Sequence, residues 1–318
     1  MCIVASGKKK SHNELSFSQI RSIFEENKKY LSNIRWFQLT GGEPFLRDDL
    51  NQIVSFLSDF CDSPIIWIPS NGLLTNRIVA MVSDLVATGC NNLGITFSID
   101  GNEKTHNFLR GGSDFYERTL NTIKKVKSIQ HKYSSLKVNI GFTISPKNFN
   151  QILEVYNLSK KLGVGFSMRP IHVSPIYYEN EDIKYQKFSD SAIEIIKKQI
   201  DIILNKECKD SPLSNAIRRI YYYGILEYIK NPNSINIRCY AGSNSLCLDE
   251  QGNVFPCLFY KKRLGNLLDE RLKDIFKKDV YRSTLKDISQ GRCPKCWVEC
   301  EIARYIKYNI FKIFKNLF

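Results

Sequence analysis

A chain of 318 residues with 43% hydrophobic and 25% charged residues can bury a sizeable core, which excludes wholesale disorder. It has no run of 18 apolar residues and no signal peptide with an apolar middle, so we expect a cytoplasmic protein. The net charge of +14 indicates a lysine-rich solvated surface or, alternatively, an anionic partner such as nucleic acid, membrane headgroups or an acidic substrate. No module that interleaves basic and aromatic residues, as in nucleic-acid readers, is visible.

Apolar strands alternate with amphipathic helices through the first half of the chain. Ser16 and Gln19 form a capping box at the start of the first helix. The predicted order is helix 16–31, strand 34–39, helix 48–60, strand 65–69, helix 76–89, strand 93–99, helix 113–130, strand 137–144, helix 150–163 and strand 164–170. Strands without polar alternation predict an α/β fold, with either a parallel sheet covered on both faces or a βα barrel. In both folds ligands bind at the carboxyl ends of the strands.

Glycines and polar residues follow these strands. The segments are TGGEP (40–44), SNG (70–72), SIDG (98–101) and HNFLRGG (106–112). Gly41 and Gly42 let the backbone approach a ligand closely. An ordinary tight turn explains those glycines but not the carboxylate of Glu43 beside them. We therefore predict that these segments share one site.

In the order LTGGEPFLR, PSNGLL, FSIDG and HNFLRGG, these segments resemble the radical S-adenosylmethionine enzymes over most of residues 1–175. The resemblance implies a partial (βα) TIM-like barrel. It also implies a four-iron four-sulfur cluster, held by a C-x3-C-x2-C loop after the first strand, that binds S-adenosylmethionine. Such an enzyme cleaves the cofactor reductively to a 5′-deoxyadenosyl radical, which abstracts hydrogen from a substrate. A flavodoxin- or ferredoxin-type protein would supply the electron.

The sequence M-C-I at the start of the chain is similar to the surroundings of the third cysteine in that loop. One thiolate cannot hold a four-iron cluster, and no C-x3-C-x2-C occurs elsewhere in the chain. We therefore expect Cys2 to be the last cysteine of a cluster loop whose first strand and first two cysteines lie upstream. An unpaired thiol on a loose terminus is the alternative.

The resemblance also assigns the cofactor site. Gly41, Gly42 and Glu43 would hold the methionine amino group, and Ser98 and Arg110 would contact the ribose and the methionine carboxylate. A guanidinium suits this carboxylate because its planar fork bonds both oxygens. Further candidates are Ser70 and Asn71 at the adenosine end, and Met168 with Arg169 beside the adenine. Simple packing at the strand end is the alternative for the last two.

Six of the ten cysteines lie between positions 239 and 300. They are Cys239, Cys247, Cys257, Cys293, Cys296 and Cys300. In a chain without a secretion signal, clustered cysteines indicate a metal rather than disulfides, and their spacing alone allows a zinc ribbon. The segment DEQGN predicts a hairpin turn with Gly252 at a positive φ.

The pattern C-x12-G-x4-C followed by C-x2-C resembles the SPASM/twitch extension of radical S-adenosylmethionine enzymes, which binds auxiliary four-iron four-sulfur clusters. The implied ligands are Cys239, Cys257, Cys293 and Cys296. We interpret Cys247 and Cys300 as spare or buried thiols, with Cys300 as an alternative ligand, and Cys61, Cys90 and Cys208 as structural thiols. In sulfatase-maturing relatives an aspartate that takes a substrate proton follows the G-x4-C cysteine. Leu258 stands there in this chain, which disfavours formylglycine formation. The resemblance implies a peptide or a small metabolite as substrate, with sugars and lipids as alternatives.

The predicted domains are a core (1–175), a helical linker (176–234) and an auxiliary-cluster domain (235–318). The segment from Glu301 onward predicts a basic amphipathic helix that packs on the protein or, alternatively, lies on an anionic membrane. A non-catalytic iron–sulfur or zinc protein, associated with nucleic acid through its charge, is the alternative to an enzyme.

The isolated Cys2 leads to the first testable prediction. The DNA upstream of Met1 should continue in frame for roughly 15–30 codons and encode a strand followed by C-x3-C. Sequencing that region tests the prediction. An in-frame stop codon directly before Met1 would contradict it.

Overall fold

The computed structural model describes residues 14–172, 187–207, 212–235, 237–299, 301–306 and 309. These residues form two compact units. The first consists of the described residues in 14–143, 154–168 and 267–273, and the second of those in 144–153, 169–266 and from 274 onward.

The first unit is built on a five-stranded sheet that forms the curled half of a barrel. Its strands are β1 (Trp36–Gln38), β2 (Ile65–Ser70), β3 (Leu93–Ser98), β4 (Lys137–Ile144) and β5 (Gly165–Pro170), and they lie side by side in chain order. The pairs from β1 to β4 are parallel. The predicted barrel of parallel strands is therefore confirmed, and the carboxyl ends of neighbouring strands meet at one rim.

Helices connect the strands. They are α1 (Phe17–Glu26), α2 (Lys28–Leu31), α3 (Leu50–Phe60), α4 (Thr75–Ala87), α5 (Glu103–Arg110), α6 (Phe115–Lys132) and α7 (Ile152–Leu162), with a 3₁₀ turn at Pro44–Leu46. Alternate apolar residues of the strands, such as Ile68, Phe97 and Ile140, are fully buried. Removing such side chains from water is the main force that holds the helices to the sheet.

The predicted order of elements is confirmed, but several bounds differ. The helix predicted over 16–31 is interrupted at Asn27, which separates α1 from α2, and β1 is shorter than the strand predicted over 34–39. The capping box of Ser16 and Gln19 begins α1 as expected. However, the helix predicted over 113–130 has Ser113 as its expected N-cap, whereas α6 has Asp114 as its N-cap and begins at Phe115. Helix α5 was not predicted, and it begins at Asn102, whose side chain accepts the Thr105 N–H. As a result Arg110 lies in the last turn of a helix rather than in a loop.

The second unit contains a helical pair and a small antiparallel sheet. Its elements are α8 (Asp190–Lys206), α9 (Pro212–Lys230), β6 (Cys247–Leu248), β7 (Asn253–Phe255), β8 (Gly265–Asn266) and α11 (Asp279–Ser289), and a short helix, α10 (Leu272–Ile275), ends within it. Strands β6 and β7 pair across Gly252, whose φ of 84° confirms the predicted hairpin turn. Among the helices in the described residues, none is long and apolar enough to cross a membrane. Most of the predicted C-terminal amphipathic helix, 307–308 and 310–318, lies outside the described residues.

One side of the first unit's sheet carries a tightly packed row of polar and aromatic side chains. The rings of Trp36 and Trp67 stack at 5.8 Å, and the Trp67 indole N–H donates to the Thr96 hydroxyl over 2.6 Å. Asn139 then donates to Ser167 over 2.8 Å. A Cβ atom on Gly94 would lie 2.2 Å from the Trp67 ring. The ring is held from two sides, so the sequence needs a glycine at this position.

We therefore predict that Gly94→Ala destabilises the protein by about 1–3 kcal/mol, because the added methyl group must displace a fixed indole ring. Gly41→Ala is the matched control, since a Cβ there meets no atom within 4 Å. The control should change the free energy of unfolding by less than about 0.5 kcal/mol. Urea unfolding measures both variants, and equal stabilities would contradict the prediction.

Candidate functional site

Glu43 lies at the rim where β1 and β2 end. Its carboxylate accepts hydrogen bonds from the Ser70 hydroxyl at 2.9 Å, the Asn71 N–H at 2.7 Å and the Phe45 N–H at 3.3 Å. Burial raises the pKa of Glu43, while these donors and the charge of Arg110 act in the opposite direction. A carboxylate has about four acceptor positions, so these three donors leave capacity for one more.

The loop after β2 is fixed by α6. Thr119 donates to the Asn71 carbonyl at 2.8 Å, and Thr122 donates to the Gly72 carbonyl at 2.6 Å. The Asn71 side chain closes its own turn by accepting the Leu73 N–H at 2.9 Å. The backbone N–H of Asn71 therefore points at Glu43 without help from a ligand.

Arg110 is held by a buried carboxylate. Its Nε and Nη2 atoms donate to Asp100 Oδ2 at 2.8 and 2.5 Å, and the other oxygen, Oδ1, accepts the Thr143 N–H at 2.9 Å. The Asp100 N–H in turn donates to His106 Nδ1 at 3.1 Å. Burial lowers the pKa of His106 to about 4, so this ring is a neutral acceptor at pH 7. The sequence pattern did not predict this arrangement. Its available signal is the i, i+4 spacing of His106 and Arg110, which puts both residues on one face of α5.

Glu43 and Arg110 are close enough for the guanidinium to lower the pKa of the carboxyl group. One group suits an ammonium ion and the other suits a carboxylate. Arg110 uses one edge of its fork for Asp100, and the Nη1 edge stays outside that ion pair. The rim therefore carries one negatively and one positively charged group, which complement the ammonium and the carboxylate of an α-amino acid.

The structure places the other predicted cofactor residues as follows. Gly41 and Gly42 are exposed beside Glu43, and Ser98 is half-buried at the end of β3. Ser70 and Asn71 support Glu43 directly, so their predicted contact with the adenosine end stays a prediction. Met168 is 1% exposed, which makes its side chain part of the core, and its contact with adenine also stays a prediction.

In the second unit Cys239 interacts electrostatically with Cys257 and with Cys293, and all three are among the predicted cluster cysteines. Burial, followed by the charge of Glu301, raises the pKa of Cys239 to about 12, and Cys293 contributes to the same shift. Burial also raises the pKa of Cys257 to about 12, against hydrogen bonds from the backbone of Phe259 and Tyr260. A bound cation would stabilise these partly buried thiols as thiolates, because desolvation and the neighbouring thiols both disfavour their ionisation. This donor set therefore fits a soft metal centre.

Within the described residues, no three His, Cys, Asp or Glu side chains are already close enough together to hold a metal ion. The Cys239 sulfur lies 3.9 Å from Glu301, which also accepts from Ser245 and pairs with Arg304. Cys2, Cys208 and Cys300 lie outside the described residues. Cys61 and Cys90 are buried in the first unit, as expected for structural thiols.

Comparison with known proteins found a family model that matches the C-terminal part of the chain and relatives that match most of its length. Residues 239–301 match the family described as SPASM, an iron–sulfur cluster-binding domain. The chain is 26% identical to an AdoMet-dependent heme synthase of Methanosarcina barkeri over 268 residues, which are 81% of this chain and 73% of that protein. It is also 26% identical to a probable GTP 3′,8-cyclase of Sulfurisphaera tokodaii over 265 residues, covering 83% of this chain and 78% of that protein.

The fold is similar to solved structures of another protein. Native anSMEcpe with bound AdoMet superposes with a TM-score of 0.59 at 16% identity, covering 100% of this chain and 96% of that one. The same protein with AdoMet and Kp18Cys peptide gives a TM-score of 0.58 at 15% identity, covering 93% of this chain and 89% of that one. At these identities the likeness establishes the fold.

The raised pKa of Glu43 predicts a pH dependence of stability. The folded state binds the proton of the Glu43 carboxyl group more tightly than the unfolded state does. The contribution of Glu43 to the free energy of unfolding should therefore fall as the pH rises above the ordinary pKa of 4.5 and through the raised pKa. Each unit of pKa shift corresponds to about 1.4 kcal/mol. The measurement is the unfolding free energy of the wild type minus that of Glu43→Gln, from pH 4 to 8 in about five steps. A difference that rises with pH would contradict the prediction.

Proposed function

We propose that this chain, which is a radical S-adenosylmethionine protein with a SPASM domain, is an enzyme that cleaves S-adenosylmethionine reductively and abstracts hydrogen from a substrate. The observation that carries the proposal is that Glu43 and Arg110 lie within electrostatic range of each other at the rim of the half-barrel. It offers a carboxylate to the methionine ammonium and a guanidinium to the methionine carboxylate.

In this proposal the chain binds and orients the amino-acid end of the cofactor. Glu43 accepts the ammonium on the oxygen that also accepts the Asn71 N–H. Asp100 fixes the inner edge of the Arg110 fork, so the outer edge faces the ligand carboxylate with little loss of side-chain freedom. Exposed backbone at Gly41 and Gly42 lies next to Glu43, and no atom stands within 4 Å of where a Cβ of Gly41 would be. A ligand can therefore approach the main chain closely at Gly41.

Two iron–sulfur sites belong to the proposal. Cys2 would be one ligand of the cluster that binds S-adenosylmethionine, and Cys239, Cys257, Cys293 and Cys296 would hold an auxiliary cluster. When bound, the reduced cluster and S-adenosylmethionine supply the 5′-deoxyadenosyl radical and methionine. The protein supplies orientation and the exclusion of water, and a flavodoxin- or ferredoxin-type partner supplies the electron.

The substrate is proposed to be a peptide or a small metabolite. One relative is named as a heme synthase and others as GTP 3′,8-cyclases, and the similar solved structure holds a peptide. Leu258 follows Cys257 in this chain, so a proton acceptor at that position is not part of the proposal.

The proposal predicts that the full-length protein, loaded with iron and sulfide without oxygen, forms 5′-deoxyadenosine and methionine under strong reductant. Arg110→Ala should weaken S-adenosylmethionine binding about 10- to 100-fold, because a charge-assisted hydrogen bond of about 1.5–3 kcal/mol is lost. Arg21→Ala is the matched control, since it removes the same charge from an exposed ion pair on α1. Chromatography and calorimetry measure the products and the binding.

No 5′-deoxyadenosine above a cluster-free control would refute the radical-enzyme proposal. Equal binding by Arg110→Ala and Arg21→Ala would refute the assigned role of Arg110 while leaving the overall activity in place.

A further inference from the structure

His172 lies in the second unit, two residues after the end of β5, and no sequence motif marks it. It is 4% exposed, and its Nε2 atom accepts the backbone N–H of Trp297 at 3.0 Å. Its ring also hydrogen-bonds the backbone of Pro170. Since proline has no N–H, that partner is the Pro170 carbonyl, and the ring nitrogen that donates to it is Nδ1.

The two aromatic neighbours of His172 lie on different parts of the chain. Its ring centroid is 4.9 Å from that of Tyr228 on α9 and 5.2 Å from that of Phe259. Phe259 follows Cys257 by two residues, and its backbone hydrogen-bonds that thiol. Trp297 directly follows Cys296. One imidazole therefore contacts the chain beside both separated cysteine pairs.

Trp297 itself has little freedom to move. Its indole N–H donates to the Tyr221 carbonyl at 2.8 Å, and a Cβ on Gly224 would lie only 1.7 Å from the ring. The tryptophan side chain is thus packed against α9, while its backbone N–H is fixed by His172. These contacts fix the chain directly after Cys296.

We infer that His172 is a positioning residue for the auxiliary cluster: it ties the Cys293–Cys296 segment to the segment that carries Cys257, so that the cysteines can close around a metal centre. The inference rests on the proposed function, because it assigns a role toward that cluster. Groups that orient metal ligands through hydrogen bonds change metal affinity about 10- to 100-fold when they are replaced.

Burial keeps the His172 ring neutral, which is the form that accepts the Trp297 N–H. It lowers the pKa of His172 to about 3, with the charge of Arg169 acting in the same direction. The ring is therefore neutral throughout the physiological range, and Nε2 remains an acceptor for the Trp297 N–H. We expect no pH switch at this residue above about pH 5.

Two amide substitutions test the hydrogen bonds of the two His172 ring nitrogens separately. His172→Gln places an amide oxygen near the position of Nε2 and can still accept the Trp297 N–H. His172→Asn places its amide near Nδ1, so it keeps a partner for Pro170 and leaves the buried Trp297 N–H without its acceptor. Tyr223→Phe, which removes a 2.7 Å hydrogen bond to Asp201 within the same unit, is the matched control.

The experiment uses the full chain with Cys2→Ser, so that the C-terminal cysteines are the predicted source of bound cluster. Each variant is reconstituted without oxygen, and the rate of iron release to a ferrous chelator is followed by absorbance. We expect His172→Asn to release iron about 10- to 100-fold faster than the parent. His172→Gln and Tyr223→Phe should stay within about threefold of the parent, and Cys293→Ser should hold no cluster.

A second measurement does not depend on iron. Amide hydrogen exchange of the segment from 293 to 299 in the metal-free protein should be fast in His172→Asn and slow in the parent and in His172→Gln. Equal iron release and equal exchange in the Asn and Gln variants would overturn the role of His172. If the parent binds no iron, the auxiliary cluster itself is wrong, and the inference falls with it.

Discussion

The ion pair between Asp100 and Arg110 is the interaction on which the arrangement of the proposed cofactor site depends. Without Asp100, the guanidinium of Arg110 would turn toward the buried carboxylate of Glu43 and close the rim. Asp100 prevents this because it is itself fixed by the Thr143 N–H at the end of β4 and by His106 on α5. Arg110 is thereby held at a distance from Glu43 at which the two charges interact electrostatically.

Hydrogen bonds from neighbouring elements offset part of the cost of burying the charged carboxylate of Glu43. Burial disfavours its charge, and the donors from Ser70 and Asn71 compensate only in part, since the pKa is raised overall. A ligand ammonium would remove the remaining cost. Residues that are destabilising in the free protein and stabilised by a ligand are expected at binding sites, where selection acts on function rather than on stability.

Much of the first unit was predictable because it depends on local patterns. Apolar runs marked the strands, and the segment TGGEP marked the rim. Helix α5 was missed because it is short and polar, and its N-cap is an asparagine in a segment that also reads as a loop. The bond between Asp100 and Arg110 and the contact of His172 with Trp297 depend on how distant segments pack, and no spacing along the chain encodes them. The cysteine pattern indicated a metal centre, but it did not indicate that His172 contacts the chain beside both cysteine pairs.

The most direct test of the central claim is a crystal structure of the protein with S-adenosylmethionine. The account predicts that the methionine ammonium lies within hydrogen-bond distance of Glu43, and that the methionine carboxylate lies on the edge of Arg110 that faces away from Asp100. It also predicts that the Asp100–Arg110 pair is unchanged by binding. A cofactor whose amino-acid end contacts neither Glu43 nor Arg110 would contradict the account.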